Sequence, residues 1–225
     1  MIGTLINSIA ILVGSFIGTL AKKGLKENYQ NMLYISMGLA ATGLGIETFS
    51  KNMSTSEYPV LFILSLAIGG IIGTRLNLTE QFNRIIGIYS TSNLGEGLTT
   101  AVILFCFGTL SILGPIESAL NNDHTYLFTN ATLDFVTSIV LASTYGVGIA
   151  FSGIVLFFWQ GTIFLLATQI APFITQSLMT EISIVGGFLI FSSGLTILKI
   201  KEIKTLDLLP AIFIPVIYFS ILHIF

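Results

Sequence analysis

Asp134 stands inside an apolar run, and Thr137 and Ser138 follow it at the third and fourth positions. On a helix that spacing places a carboxylate and two hydroxyls on one face. Oxygens of this kind bind hard cations such as sodium, and a carboxylate held in low dielectric can also take up and release a proton. Two plainer uses compete: an interfacial Asp reaching lipid headgroups, or a charge favoured by the helix dipole if a helix begins at Thr129 near the surface. Gln160 lies between Trp159 and Gly161 near the middle of another apolar run, where its amide needs a partner from a neighbouring helix or from a solute. Glu96 precedes a third run and is followed by Gly97, Thr99 and Thr100. It is either a cation site at an inner entrance or only a partner for a helix dipole. Asn7 in the first apolar run, with Thr42, Ser192 and Ser193, would complete an oxygen-rich cavity, although each alone serves equally well as glue between helices.

The elements that must hold these groups are set by composition. Of 225 residues, 53% are hydrophobic and 9% charged, and the mean hydropathy is +0.92; soluble domains carry roughly 25% charged residues. The chain therefore reads as an integral membrane protein whose surroundings are a lipid bilayer. A net charge of -2 gives no basic surface for nucleic acid. Cys106 is the single cysteine and sits in an apolar run, so no intrachain disulfide or thiolate metal cluster can form. His124 and His223 lack metal-ligand spacing, and neither a glycine-rich phosphate loop nor a protease set is found. No cofactor and no enzymatic activity are expected.

The apolar runs predict an all-α, polytopic transmembrane bundle of about eight spans in one domain over residues 1–225. They are Ile2 to Ala21, Met32 to Phe49, Tyr58 to Thr74, Leu98 to Leu113, Thr129 to Gly146, Ile149 to Ile170, Ile182 to Leu198 and Leu208 to Ile224. Lys22, Lys23 and Lys26 follow the first run instead of preceding it, so it reads as a retained span and not a signal peptide. Gly14 and Gly18 form a small-xxx-small pair on the first span, and Gly38, Gly43 and Gly45 make the second thin, in both cases for close helix approach. The fifth and sixth spans, joined only through Gly146, Val147 and Gly148, must form a tight hairpin. Pro115 is expected to mark the end of the fourth span, with Gly114-Pro115 and Pro210 able to free backbone carbonyls for Ser or Thr partners or for a cation.

Between the third and fourth spans, Leu78, Phe82, Ile85, Ile86 and Tyr89 recur at helical spacing opposite Glu80, Gln81, Asn83 and Arg84. That is an amphipathic helix lying on the membrane surface, with Asn77 and Glu80 placed as a capping box. A faint echo relates the first span to the fifth: Thr4, Leu5, Ile11, Ser15 and Gly18 match Thr132, Leu133, Ile139, Ser143 and Gly146. It would divide the chain into halves 1–115 and 126–225, and chance similarity between apolar helices competes with it. With both termini outside, the basic residues all fall in cytoplasmic loops except Lys51, as the positive-inside rule asks.

The string Glu96-Gly97-Leu98-Thr99-Thr100-Ala101, continuing through Leu104-Phe105-Cys106-Phe107-Gly108 to Ile112-Leu113-Gly114, resembles the YdfK/YqgA-like bacterial membrane proteins, a family of unknown function. Asn122-Asp123-His124, Leu133-Asp134, Ala142-Ser143-Thr144, Phe151-Ser152, Gln160-Gly161 and Leu209-Pro210-Ala211 fit as well. The resemblance implies a bacterial plasma membrane and, for function, no more than the sodium channel or pump suggested for such proteins. The residues and the resemblance together predict a transporter or channel for a small cation or small polar solute. The expected ligands are Asp134, Thr137, Ser138, Glu96, Gln160 and Asn7. The rival is a membrane scaffold or sensor that forms a homo-oligomer through Gly14 and Gly18.

Overall fold

The structure, a computed structural model, describes residues 1–21, 26–87, 98, 101–102, 104–106, 109–170 and 175–222. Every regular element among them is helical: α1 (Ile2–Leu20), α2 (Glu27–Met53), α3 (Leu61–Leu76), α4 (Leu78–Gly87), α5 (Thr109–Leu120), α6 (Thr125–Tyr145), α7 (Phe151–Ile170), α8 (Gln176–Ile197) and α9 (Thr205–Leu222). A 3-10 turn at Val147–Ala150 leads into α7, and α9 tightens to 3-10 geometry over Leu209–Ile212. Packing divides the chain into two compact units, Met1–Leu33 with Arg84–Pro172 and Tyr34–Asn83 with Phe173–Phe225. Each unit is assembled from two separated stretches, so neither coincides with the sequence halves 1–115 and 126–225.

In the first unit α1 and α6 run side by side in the same direction. Gly3 lies against Leu127, Gly14 against Phe135 and Ser138, and Gly18 against the backbone of Ile139. A Cβ on Gly14 would fall on the Ser138 hydroxyl, and one on Gly18 would fall on the Ile139 carbonyl, so only glycine lets these helices meet this closely. The two stretches linked by the sequence echo are therefore packing partners, about one helical turn away from the echo's own register. Helix α7 lies antiparallel to α1, with Gly153 against Ser8 and Ile11. The apolar floor of this unit is Ile11, Phe105, Cys106, Leu141, Ala142, Ile149 and Leu156. Cys106 thus serves as a small buried hydrophobe.

The hairpin between α6 and α7 forms as its glycines predict. Gly146 adopts φ 87°, a backbone state that costs a residue with a Cβ, and the chain reverses there. The opposite end of α6 departs from expectation, because the helix begins at Thr125, with the Asp123 carboxylate accepting from the Thr125 N–H at 2.8 Å. Pro115 is another correction: it lies inside α5 and not at the end of a helix.

The second unit is built on antiparallel contacts. Gly38 meets Leu198, Gly45 meets Phe191 and Gly194 meets Thr42, joining α2 to α8. Gly69 and Gly73 of α3 receive Ala211 and Asp207 of α9. Gly43 is the exception in the expected thin face, being exposed with open space around it. Phe188 is sandwiched between Phe49 and Phe62, with ring centroids at 4.4 and 4.9 Å.

The amphipathic helix is present as α4, but the capping box is not. Asn77 is the left-handed C-cap of α3 (φ 49°), and the Thr79 N–H at the start of α4 is accepted by Asp207 at 2.8 Å. A carboxylate from α9 has taken the capping role.

Among the described residues, five helices are long and apolar enough to cross a bilayer: Ile2–Leu20, Thr125–Tyr145, Val147–Gln169, Gln176–Ile197 and Thr205–Leu222. Leu61–Leu76 and Leu104–Leu120 are apolar but shorter. At 1.5 Å per residue, the 16 residues of α3 extend about 24 Å against a hydrocarbon core of about 30 Å. The protein is an all-helical, multi-helix membrane protein.

Candidate functional site

Asp134 lies nine residues into α6, roughly 14 Å from its start. That depth removes the helix-dipole reading, since the helix-end partial charge acts only within the first turn. The side chain is 5% exposed. Its neighbour one turn earlier, Asn130, is also buried and donates Nδ2–H to Asp134 Oδ2 at 2.9 Å.

On α1, Thr4, Asn7, Ser8 and Ser15 are all buried, and the Ser8 carbonyl lies toward Gly153 of α7. The Asn7 amide faces the Asp134 carboxyl without reaching ordinary hydrogen-bond geometry to it or to another described group. Thr4 Oγ1, Ser8 Oγ and Ser15 Oγ are likewise buried and without partners. An unsatisfied buried polar atom costs about 1–3 kcal/mol. A stripe of them over three turns is therefore expensive if dry, and the expense disappears if water or a cation occupies the seam.

Thr137 and Ser138 share the Asp134 face of the helix as the spacing predicts, and both are buried. Their hydroxyl protons go to their own helix, Thr137 Oγ1 donating to the Leu133 carbonyl at 2.8 Å and Ser138 Oγ to the Phe135 carbonyl at 2.8 Å. Such bonds use the hydroxyl proton, and the oxygen remains an acceptor. Ser138 is in addition packed under Gly14.

Gln160, fully buried, reaches a different neighbour. Its Nε2 donates to Ser111 Oγ on α5 at 3.1 Å, and its Oε1 has no partner. Thr42 and Ser192 belong to the other unit, where their hydroxyls donate to the carbonyls of Gly38 and Leu189. Glu96, with Thr99 and Thr100, lies outside the described residues.

Three buried groups escaped notice in the sequence. Asn130 was invisible because its partner is one turn away on a helix whose expected start was too late. Glu181 is 1% exposed. Its Oε1 accepts from Ser56 Oγ at 2.5 Å and from the Tyr58 N–H at 3.3 Å, while Oε2 has no partner. Asp207, flanked by leucines and lysine-rich sequence, is 6% exposed and accepts from both the N–H and the hydroxyl of Thr79. Among the described residues no group of three or more His, Cys, Asp or Glu is placed to hold a metal ion together.

The model of the family described as "Protein of unknown function (DUF554)" matches residues 2–220, nearly the whole chain. The chain belongs to this family. It is 53% identical over 225 residues to the "Uncharacterized membrane protein YdfK" of Bacillus subtilis (strain 168), covering 100% of this chain and 98% of that one. It is 28% identical over 225 residues to the "Uncharacterized protein YqgA" of Escherichia coli (strain K12), covering 94% and 93%. No solved structure matches it.

Proposed function

We propose that this protein carries a small cation, or a small polar solute with a coupled proton or sodium ion, across a bacterial plasma membrane by way of the α1–α6 seam. The observation that carries the reading is Asp134: a deeply buried carboxyl group with the Asn7 amide of α1 facing it, on a helix that carries further buried, unpartnered hydroxyls. The ion pair between Lys204 and Glu80, at 3.5 Å, is exposed and far along the chain, so it neutralises nothing in the seam. A cation entering beside Asp134 would supply the missing charge and take lone pairs from Thr137 and from the α1 hydroxyls. Asn130 and Asn7 would orient the carboxyl, Gln160 would serve a neighbouring position, and Glu96 would serve the cytoplasmic entrance. Covalent chemistry is not part of this proposal.

An eight-crossing topology with both ends outside accompanies it. Within the first unit α1 and α6 are parallel while α7 opposes α1, and within the second α2 opposes α8 and α3 opposes α9. Alternating crossings would produce these directions, and the placement of basic residues orients them. The scaffold reading loses its surface, because Gly14 and Gly18 are occupied by α6 of the same chain. The test is cation flux into proteoliposomes holding the purified protein, with Asp134→Asn as the comparison. Equal flux from the two proteins would remove Asp134 from the path.

A further inference from the structure

Pro115 lies within α5, and proline has no N–H. The group it fails to serve is the carbonyl four residues earlier, that of Ser111. Ser111 is fully buried, so no bulk water replaces the missing donor. The same residue is the one Gln160 holds: Nε2 of the amide donates to Ser111 Oγ at 3.1 Å. That bond fixes the amide beside Ser111 and leaves Oε1, also fully buried, without a partner. Two acceptors on facing helices, one deprived of its helix donor by a proline and one left over by an amide's orientation, are thus carried by residues joined through a single hydrogen bond.

Gln160 Oε1 has no donor among the described residues and the Ser111 carbonyl has lost its helix donor, which selects the class of guest. An anion would be repelled by two carbonyl dipoles, and an apolar solute would leave them unpaired. A small cation satisfies both, as freed carbonyls and side-chain oxygens do in discontinuous membrane helices. We propose that the Ser111 carbonyl and Gln160 Oε1 form a second binding position for a small monovalent cation, separate from the one at Asp134. It deepens the transport reading above, and would give the path two stations.

Replacing Pro115 by alanine is an unusually clean probe, because it restores an N–H aimed at the Ser111 carbonyl while favouring the helix. The purified protein in detergent is heated in sodium, lithium or choline chloride at equal ionic strength, and each variant is compared with its own choline baseline. Binding to the folded state raises the melting temperature. The wild type is expected to gain stability in sodium or lithium, with Pro115→Ala and Gln160→Leu each losing about half of that gain and Asp134→Asn losing the remainder. If both of the first two variants keep the full gain while Asp134→Asn abolishes it, the second position is refuted and Asp134 stands alone. If Asp134→Asn keeps the full gain while the other two lose theirs, the Asp134 reading falls and the Ser111–Gln160 position survives. No gain in the wild type overturns both.

Discussion

Replacing Asp134 by asparagine removes the negative charge and turns one carboxylate oxygen into an NH2 of nearly the same size. The Asn130 Nδ2–H that now rests on Asp134 Oδ2 at 2.9 Å would find the asparagine carbonyl in its place. The cost to folding is therefore small, no more than about 1 kcal/mol, the worth of one hydrogen bond. The effect on a bound cation is large. A unit charge about 2.5 Å from a carboxylate oxygen gains about 7 kcal/mol at an effective dielectric of 20. An amide dipole recovers roughly half of that, so about 3 kcal/mol is lost, which corresponds to about a 100-fold weaker apparent affinity. Tracer uptake by proteoliposomes over a range of cation concentrations reads this as a rise in apparent KM, with thermal unfolding in detergent run beside it. Asp134→Leu is the contrasting variant, since it strands Asn130 and should also lower stability by about 1–3 kcal/mol. The reasoning is refuted if Asp134→Asn transports with an unchanged apparent KM, for then the buried charge is not what the guest meets.

Three further outcomes test the packing around the site. Gly18→Ala drives a Cβ onto the Ile139 carbonyl and should cost about 1–3 kcal/mol in detergent unfolding; a melting temperature equal to wild type would mean that α1 and α6 do not meet there. Asp207→Ala removes the acceptor for the Thr79 N–H and hydroxyl, a loss of about 1–2 kcal/mol, and should expose the start of α4 to limited proteolysis before the rest of the chain is cut. Glu181→Gln retains an oxygen for Ser56 and for the Tyr58 N–H and should unfold close to wild type, while Glu181→Ala, which strands both donors, should lose about 1–3 kcal/mol.

The helical, membrane-embedded character of this protein is written along the chain, because apolar runs near twenty residues and scarce charge leave the backbone no other way to satisfy itself in lipid. The tight turn at Gly146, the close approach at Gly14 and Gly18 and the amphipathic α4 were legible for the same reason: each is a local pattern with a local physical cause. What a helix end does is decided elsewhere. Asn77 looked like the cap of α4 until Asp207, more than a hundred residues later, supplied the acceptor, and Pro115 looked like a stop until α5 proved to continue through it. Burial depends on partners too. Glu181 is sealed in the fold, held by Ser56 and Tyr58 that lie more than a hundred residues away in the chain. Hydrophobic period tells which residues share a face, but only the packing of α1 against its neighbours decides that Thr4, Asn7, Ser8 and Ser15 are buried instead of facing lipid, with Asn7 toward Asp134, because in a bilayer both surroundings of a helix are apolar and composition does not distinguish them.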